Sequence, residues 1–141
     1  MSGFTSKDAA LIVSAKPSGT TATTAASNAI NLGAIDVVGV RSEPFELVVD
    51  APAFTANELP SDATLTIKLQ SCADESFASG VTDAFAVTIG DGTAAAAATY
   101  KFRPTLKGDQ FWRVAILTTL SGSGAVADTA QAKAVTLSYV C

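Results

Sequence analysis

A period-two alternation of apolar and polar residues constrains this chain more than any other feature of its sequence. The clearest example is the segment 64–70, where Leu65, Ile67 and Leu69 alternate with polar residues. Because successive side chains of a β-strand point to opposite faces of the sheet, this segment is predicted to bury one face and expose the other. Such half-exposed strands are typical of antiparallel sheets. The solvated face is expected to carry Thr64, Thr66, Lys68 and Gln70.

The same alternation recurs along the chain and gives about eight predicted strands. Clusters of Gly, Pro, Asp or Ser separate most of them, and Gly90-Asp91-Gly92 is a strong turn signal. Such spacing favours an all-β sandwich or barrel, and we expect an antiparallel β-sandwich, an eight-stranded jelly roll. Besides 64–70, the predicted strands contain Leu11 and Val13, Ile30 and Leu32, 45–49, 85–89, Tyr100 and Phe102, 112–116, and 135–139.

Three further segments are predicted to lie outside the main strands. Residues 73–77 form the one plausible helical turn. Residues 94–98 are all alanine and have helical propensity, but they lie between Gly92 and a predicted strand, so a loop or a strand entry is expected. Residues 121–132 are interpreted as a long loop between the last two strands.

The N-terminal region differs from the rest of the chain. A length of 141 residues fits one domain, which we divide into residues 1–27, an N-terminal arm with a first strand, and residues 28–141, the sandwich. Segment 17–27 has no large apolar side chain. Region 1–27 carries two bases, Lys7 and Lys16, and one acid, whereas the remainder is acidic. An extended arm that lies on a neighbouring molecule is one hypothesis, and a flexible linker between a first strand and the sandwich is the alternative.

The chain carries few charges for its length. Charged residues make up 16% of the sequence, against about a quarter in a typical soluble domain. A surface with so little charge favours self-association or docking on a larger body. The net charge of -4 and the scattered Lys and Arg residues argue against a nucleic-acid partner. The one basic cluster, Lys101, Arg103 and Lys107, is interpreted as a solvated strand face.

Neither a membrane segment nor an export signal is predicted. No apolar stretch reaches the roughly 18 residues that a membrane-spanning helix needs. Segment 1–15 superficially resembles a signal peptide, but Asp8 adjoins its apolar run and Lys7 is the only base before it. We therefore expect a strand there, no membrane partner, and a protein that stays in the cytoplasm where it is made.

The residues that usually carry catalysis are missing. The sequence has 0 histidines, which removes the commonest general base and the commonest metal ligand. Neither Cys72 nor Cys141 has a candidate base partner, and the sequence leaves open whether they pair, although free thiols are favoured in a reducing compartment. Asp74 is predicted to cap a turn beside Ser76 rather than to act with Glu75 as a pair of catalytic acids. We expect no enzymatic activity, no cofactor and no metal ion.

Phe111 and Trp112 are adjacent aromatic residues in a predicted strand. They must therefore face opposite sides of the sheet. One is expected to fill the core and the other to lie on the outer face or at an interface, where Trp is enriched among the residues that dominate binding. Burial of both is the alternative.

Several motifs occur in an order that resembles a known family. They are 29–33 (Ala-Ile-Asn-Leu-Gly), 44–49 (Pro-Phe-Glu-Leu-Val-Val) and 63–71 (Ala-Thr-Leu-Thr-Ile-Lys-Leu-Gln-Ser), which Asp74 and Phe77 follow. Segment 110–114 (Gln-Phe-Trp-Arg-Val) is similar to a later strand of that family. The family is that of the jelly-roll cement (decoration) proteins of tailed phages, of the Bordetella-phage cement protein type, and the resemblance covers roughly residues 29–117. The chain differs from it in the Ser/Thr/Ala-rich segment before Ser27, in Asn31 where Asp is frequent, and in Cys72.

This resemblance implies a structural, non-catalytic role. Cement proteins bind the outer surface of the assembled capsid, bridge subunits of the major capsid protein and stabilise the head. The resemblance thus implies a virion protein whose partners are the major capsid protein and further copies of itself, as a dimer or trimer. The candidates for partner contacts are Phe4, Lys7, Leu11, Lys16, Trp112 and Arg113.

Two other functions are considered. The first is a carbohydrate-binding or adhesive β-sandwich module of a virion or cell surface, which is disfavoured because the chain has only one Trp and two Tyr for stacking on sugars. The second is an enzyme on a jelly-roll scaffold, which is disfavoured because the metal sites of cupins use histidine.

Overall fold

Residues 12–19, 24–31, 46–103, 110–122 and 124–140 are described in a computed structural model of the protein. They form two antiparallel β-sheets that pack face to face, so the predicted all-β sandwich is confirmed. The four-stranded sheet contains, in spatial order, β1 (Ile12–Ala15), β9 (Val135–Val140), β4 (Glu46–Ala51) and β7 (Ala98–Phe102). The other sheet has the order β2 (Thr24–Ala26), β8 (Phe111–Leu120), β5 (Ala63–Cys72) and β6 (Thr82–Gly90), and β3 (Ile30–Asn31) also pairs with β8.

The predicted alternation places the core between the two sheets. In β5, Leu65, Ile67 and Leu69 are at most 1% exposed. The polar residues that alternate with them, Thr64, Thr66 and Lys68, are half-buried. The apolar residues of β8 lie beside them, and the four-stranded sheet covers them from the opposite side. The largest fully buried side chains of these two layers include Leu47, Val49, Val114, Ile116, Val135 and Leu137.

The centre of the five-stranded sheet is the long pair β5–β8. It runs without interruption from Ala63 opposite Leu120 to Cys72 opposite Phe111. On the other side of β5, the pairing with β6 shifts register between Leu69 and Gln70. Because β5 is fixed on both sides, the side chains near its end are held in defined positions.

Two strands that precede residue 27, the predicted division, pair with strands of the sandwich. Strand β1 pairs with β9 in one sheet, and β2 pairs with β8 in the other. Ser27 then donates its backbone N–H to Val114 O at 2.9 Å and accepts the N–H of Val114 at its Oγ at 3.1 Å. The described part of region 1–27 is therefore built into the sandwich, and residues 1–11 and 20–23 lie outside the described residues.

Several local predictions need correction. The described residues contain nine strands rather than eight, and the segment predicted as one long loop contains a short helix, α1 (Asp128–Gln131). Residues 73–77 form a turn without helix, whereas 94–98 form the expected loop that enters β7. Gln70 was expected on a solvated face but is 8% exposed. Within the described residues, no helix is long and apolar enough to span a membrane.

Candidate docking site around Arg113

A row of polar side chains crosses the outer face of the five-stranded sheet and ends at Arg113. Gln70 lies opposite Arg113 in β8 and opposite Asp83 in β6. Arg113 Nε donates to Gln70 Oε1 at 3.0 Å, and Gln70 Nε2 donates to Asp83 Oδ1 at 2.9 Å. Asp83 Oδ2 lies 3.5 Å from Lys68 Nζ. Both ends of the Gln70 amide are thereby satisfied, which explains how a polar side chain is tolerated in a buried position.

Phe77 covers the Arg113 guanidinium. The carbon at the centre of the guanidinium lies 4.2 Å from the centroid of the Phe77 ring, within the range of a cation–π contact. Phe77 is 8% exposed although it belongs to the loop between β5 and β6. The loop therefore folds back over the sheet instead of extending into solvent.

The turn before Phe77 is fixed by Asp74, as predicted. Asp74 Oδ1 accepts the backbone N–H of Ser76 at 3.1 Å, and Oδ2 accepts the Ser76 hydroxyl at 2.8 Å. These two hydrogen bonds lower the pKa of Asp74 below its usual value. Phe77 N–H then donates to Asp74 O at 3.0 Å, and Phe77 adopts a left-handed φ of 55°. Its ring is directed back over the sheet in this way.

Cys72 supports the same loop from below. It is a free thiol, 1% exposed, that donates from Sγ to Ser79 O at 3.1 Å. The backbone N–H of Asp74 lies 3.4 Å from the same sulfur. Cys72 therefore connects the beginning and the end of the loop, and its position under the loop gives it a structural role. Cys141 lies outside the described residues.

A cleft of about 320 Å³ opens beside Arg113. One wall is the segment that joins β2 to β3, and the other is the Phe77 loop. The hydrogen bonds between Ser27 and Val114 hold the first wall against β8. The lining residues are Ser27, Asn28, Ala29, Glu75, Phe77 and Arg113.

Arg113 is the charged centre of this cleft. Partial burial lowers its pKa, while the neighbouring Cys72 acts in the opposite direction, and a guanidinium stays protonated at any ordinary pH. Among the described residues, no carboxylate lies within ion-pair distance of Arg113, and its guanidinium donates through Nε to Gln70. A partly buried cation of this kind suits a carboxylate or a carbonyl oxygen from a docked molecule.

A second polar cluster, around Glu58, has a structural role. Glu58 is 7% exposed, and its carboxylate accepts from Lys133 Nζ at 2.6 Å and from Thr55 N–H at 2.9 Å. These bonds lower the pKa of Glu58 to about 2, the Lys133 bond most strongly. Lys133 Nζ also donates to Ala53 O at 2.6 Å. The cluster ties the segment before β9 to the segment after β4.

The predicted contact residues differ in their exposure to solvent. Arg113 lies half-buried in the cleft and Lys16 is exposed, but Trp112 is 4% exposed in the core, with its ring 5.3 Å from that of Phe102. Trp112 therefore offers no surface to a partner, and Phe111 is the half-exposed member of the pair. Phe4, Lys7 and Leu11 lie outside the described residues.

The loop over Arg113 was not identified as a site from the sequence. Phe77 and Gln70 are ordinary residues in sequence, and only strand pairing brings them to Arg113. Over the described part of the chain, no group of three or more Cys, Asp or Glu residues is placed to hold a metal ion. The chain matches no protein-family model, no curated protein and no solved structure.

Proposed function

We propose that this protein is a structural phage capsid cement protein, which binds the outer surface of the assembled capsid, bridges subunits of the major capsid protein and stabilises the head. The fold behind this proposal is an eight-stranded jelly roll. The proposed function comes from the motifs that resemble the cement protein family. The structural observation that supports the proposal is the strand order of the two sheets.

The strand order supports a jelly roll in two ways. First, β2 and β3 both pair with β8, so they count as one interrupted strand, and the nine strands become two sheets of four. Second, apart from β2–β3 and the β5–β6 hairpin, consecutive described strands lie in different sheets. Repeated crossing between two facing sheets is the pattern that a double Greek key produces. This topology occurs in viral capsid proteins.

The surface chemistry supports adhesion. A protein with 16% charged residues has little charge to desolvate when it docks. The Arg113 cleft adds one directional contact, because a half-buried guanidinium recognises an oxygen anion with defined geometry. Each contact with a capsid subunit need bury only about 800 Å² per partner, because several contacts made by one oligomer reinforce each other.

Binding that is confined to the assembled lattice would also stabilise that lattice. A ligand that binds one state and not another shifts the equilibrium toward the state it binds. In this case the favoured state is the expanded head. No residue has to carry special reactivity for this effect.

The test is to mix the purified protein with undecorated, expanded capsids and to sediment the mixture. We expect saturable co-sedimentation, with a fixed number of copies per capsid and a higher melting temperature of the capsid. Isolated major capsid protein serves as the control and should bind weakly. The proposal fails if the protein stays in the supernatant at every concentration, and binding to a glycan array instead would favour the adhesive module.

A further inference from the structure

Strand β6 forms an edge of the five-stranded sheet. It spans nine residues, Thr82–Gly90, and pairs with β5 on one side. No described strand pairs with its other side. Its outward side chains Ala86 and Thr88 are exposed. The strand therefore presents a row of backbone N–H and C=O groups to its surroundings.

From Phe85 to Gly90, this edge lacks the features that normally prevent strands from pairing. Between Ala84 and Gly90 there is no charged residue and no proline. The register shift with β5 lies before Phe85, so the pairing from Phe85 to Gly90 is regular. The single charge of β6, Asp83, is bonded to Gln70 and Lys68. Proteins usually protect an exposed edge with lysine, proline, bulges or short strands.

The other outer strands show such protection. Strand β7, at one edge of the four-stranded sheet, has five residues and carries the exposed Lys101. Strand β1, at the opposite edge, has four residues. The contrast within one molecule makes β6 the edge best suited to pairing.

Apolar side chains border this edge. Phe85, Val87 and Ile89 pack against the core but are only partly buried. Tyr100 of β7 is also partly buried, and its ring centroid lies 5.4 Å from that of Phe85. The side of the sandwich between β6 and β7 therefore exposes parts of several large apolar residues. Burial of this apolar surface in an interface would lower the free energy of association.

We propose that β6 pairs antiparallel with β6 of a second copy of this chain, across a two-fold axis. In such a pair every residue faces a residue of the same segment. A charged segment would place like charges opposite each other, which is destabilising, whereas the uncharged stretch from Ala84 to Gly90 avoids this. The backbone edge of β6, which no described strand covers, is complementary to itself, and the two five-stranded sheets would become one continuous sheet.

A second copy fits this edge better than a charged partner does. A partner of opposite charge would need charged residues along the strand to recognise, and the stretch from Ala84 to Gly90 has none. The net charge of -4 on each copy opposes association only weakly, because salt screens charges that lie farther apart than about 10 Å. The dimer is a property of the isolated protein, so it stands or falls separately from the capsid proposal.

The experiment is sedimentation velocity of the full chain over a concentration series, without capsids. We expect a concentration-dependent dimer. Ala86→Glu should weaken dimerisation by roughly tenfold or more, because two carboxylates then meet near the axis. Within one chain the new carboxylate faces Lys68, its partner in β5, so the fold should be retained. The matched control is Ser14→Glu, an exposed position on the edge strand β1, which should leave the dimer intact.

Cross-linking gives the second measurement, and it does not depend on the stability of Ala86→Glu. Cysteines placed together at Ala86 and Thr88 in a Cys141→Ser background should form a disulfide-linked dimer under mild oxidation. A cysteine at Ser14 should not. A protein that is monomeric or trimeric at every concentration overturns the proposal. So does a dimer that Ala86→Glu leaves unchanged, or one that cross-links only through Ser14.

Discussion

The guanidinium carbon of Arg113 lies 4.2 Å from the centre of the Phe77 ring. The two residues belong to different elements, a strand and a loop, and the loop reaches Arg113 because Asp74 and Cys72 fix its course. This contact turns one face of the sheet into a cleft with a single cation at its centre. Substitution of Arg113 therefore provides a direct test of the docking proposal.

Arg113→Ala should weaken capsid binding by roughly tenfold or more, because charged contacts of this kind contribute about 1.5–3 kcal/mol. The thermal midpoint should fall as well, because the buried Gln70 Oε1 loses its donor, so binding is compared at a temperature at which the variant is folded. Co-sedimentation with capsids and a melting curve measure the two effects. Arg103→Ala is the matched control, because Arg103 is an exposed arginine directly after β7 whose guanidinium lies 3.5 Å from Glu46. Equal binding by both variants would remove Arg113 from the docking site.

Trp112→Ala should destabilise the protein by about 3–5 kcal/mol, the usual cost of removing a large buried aromatic side chain. Phe111→Ala should cost clearly less, because Phe111 is only half-buried. Urea denaturation measures both. In the unchanged protein, Trp112 is the one tryptophan, so its fluorescence should shift to longer wavelength on unfolding. Similar losses in the two variants would contradict the placement of Trp112 in the core.

Acid should remove the stability that Glu58 contributes. Its pKa is lowered from 4.5 to about 2 in the folded protein, so the contribution is complete above pH 4.5 and is lost as the pH falls toward 2. Glu58→Gln should therefore unfold more easily at neutral pH and lose less stability on acidification. Urea midpoints over this pH range measure the effect. Glu75→Gln, at an exposed position in the Phe77 loop, should keep the pH dependence of the unchanged protein.

Gly90→Ala should destabilise the protein by at least about 3 kcal/mol, because a left-handed φ and a steric clash act together. Gly90 has a φ of +109°, and an added Cβ would stand 2.6 Å from Ala63 O. Gly80→Ala is the control, since Gly80 has a φ of +75° with open space around it, and its cost should be about 1–2 kcal/mol. Chemical denaturation of the two variants should give this order, and a reversed order would contradict the packing of β6 against Ala63.

Deletion of residues 1–16 should lower the melting temperature clearly. The reason is that β1 pairs with β9 and that Ala15 is 6% exposed in the core. Deletion of residues 2–11, which lie outside the described residues, is the appropriate test of the arm hypothesis. If the arm binds a neighbour, this shorter deletion should weaken capsid binding and keep the melting temperature. An unchanged melting temperature after deletion of 1–16 would contradict the role of β1.

The sequence was most informative where a strand has one apolar face. The alternation in 64–70 predicted the buried row of Leu65, Ile67 and Leu69, because burial on one side of a sheet repeats every second residue. The same reasoning failed for β2. Its residues are Thr, Ala and Ala, and the strand exists because β8 pairs with it. A partner that is so distant in sequence leaves no local pattern.

The docking site was predicted only in part, for the same reason. Arg113 is among the contact residues predicted from the sequence, but its companions Gln70 and Phe77 are far away in sequence. The alternation predicts Gln70 on a solvated face, because it contains no information about a loop that folds back over the sheet. Trp112 is among the contact residues predicted from the sequence. Period-two alternation alone does not determine which member of an adjacent pair faces the core.

The pairing of β1 with β9 has a consequence for how the chain is made. Strand β9 stands between β1 and β4, with Ile12 opposite Ser138 and Leu47 opposite Tyr139. During translation β1 and β4 leave the ribosome long before their common neighbour does. The four-stranded sheet therefore cannot be completed before β9 has been synthesised, and the core between the two sheets closes late in translation.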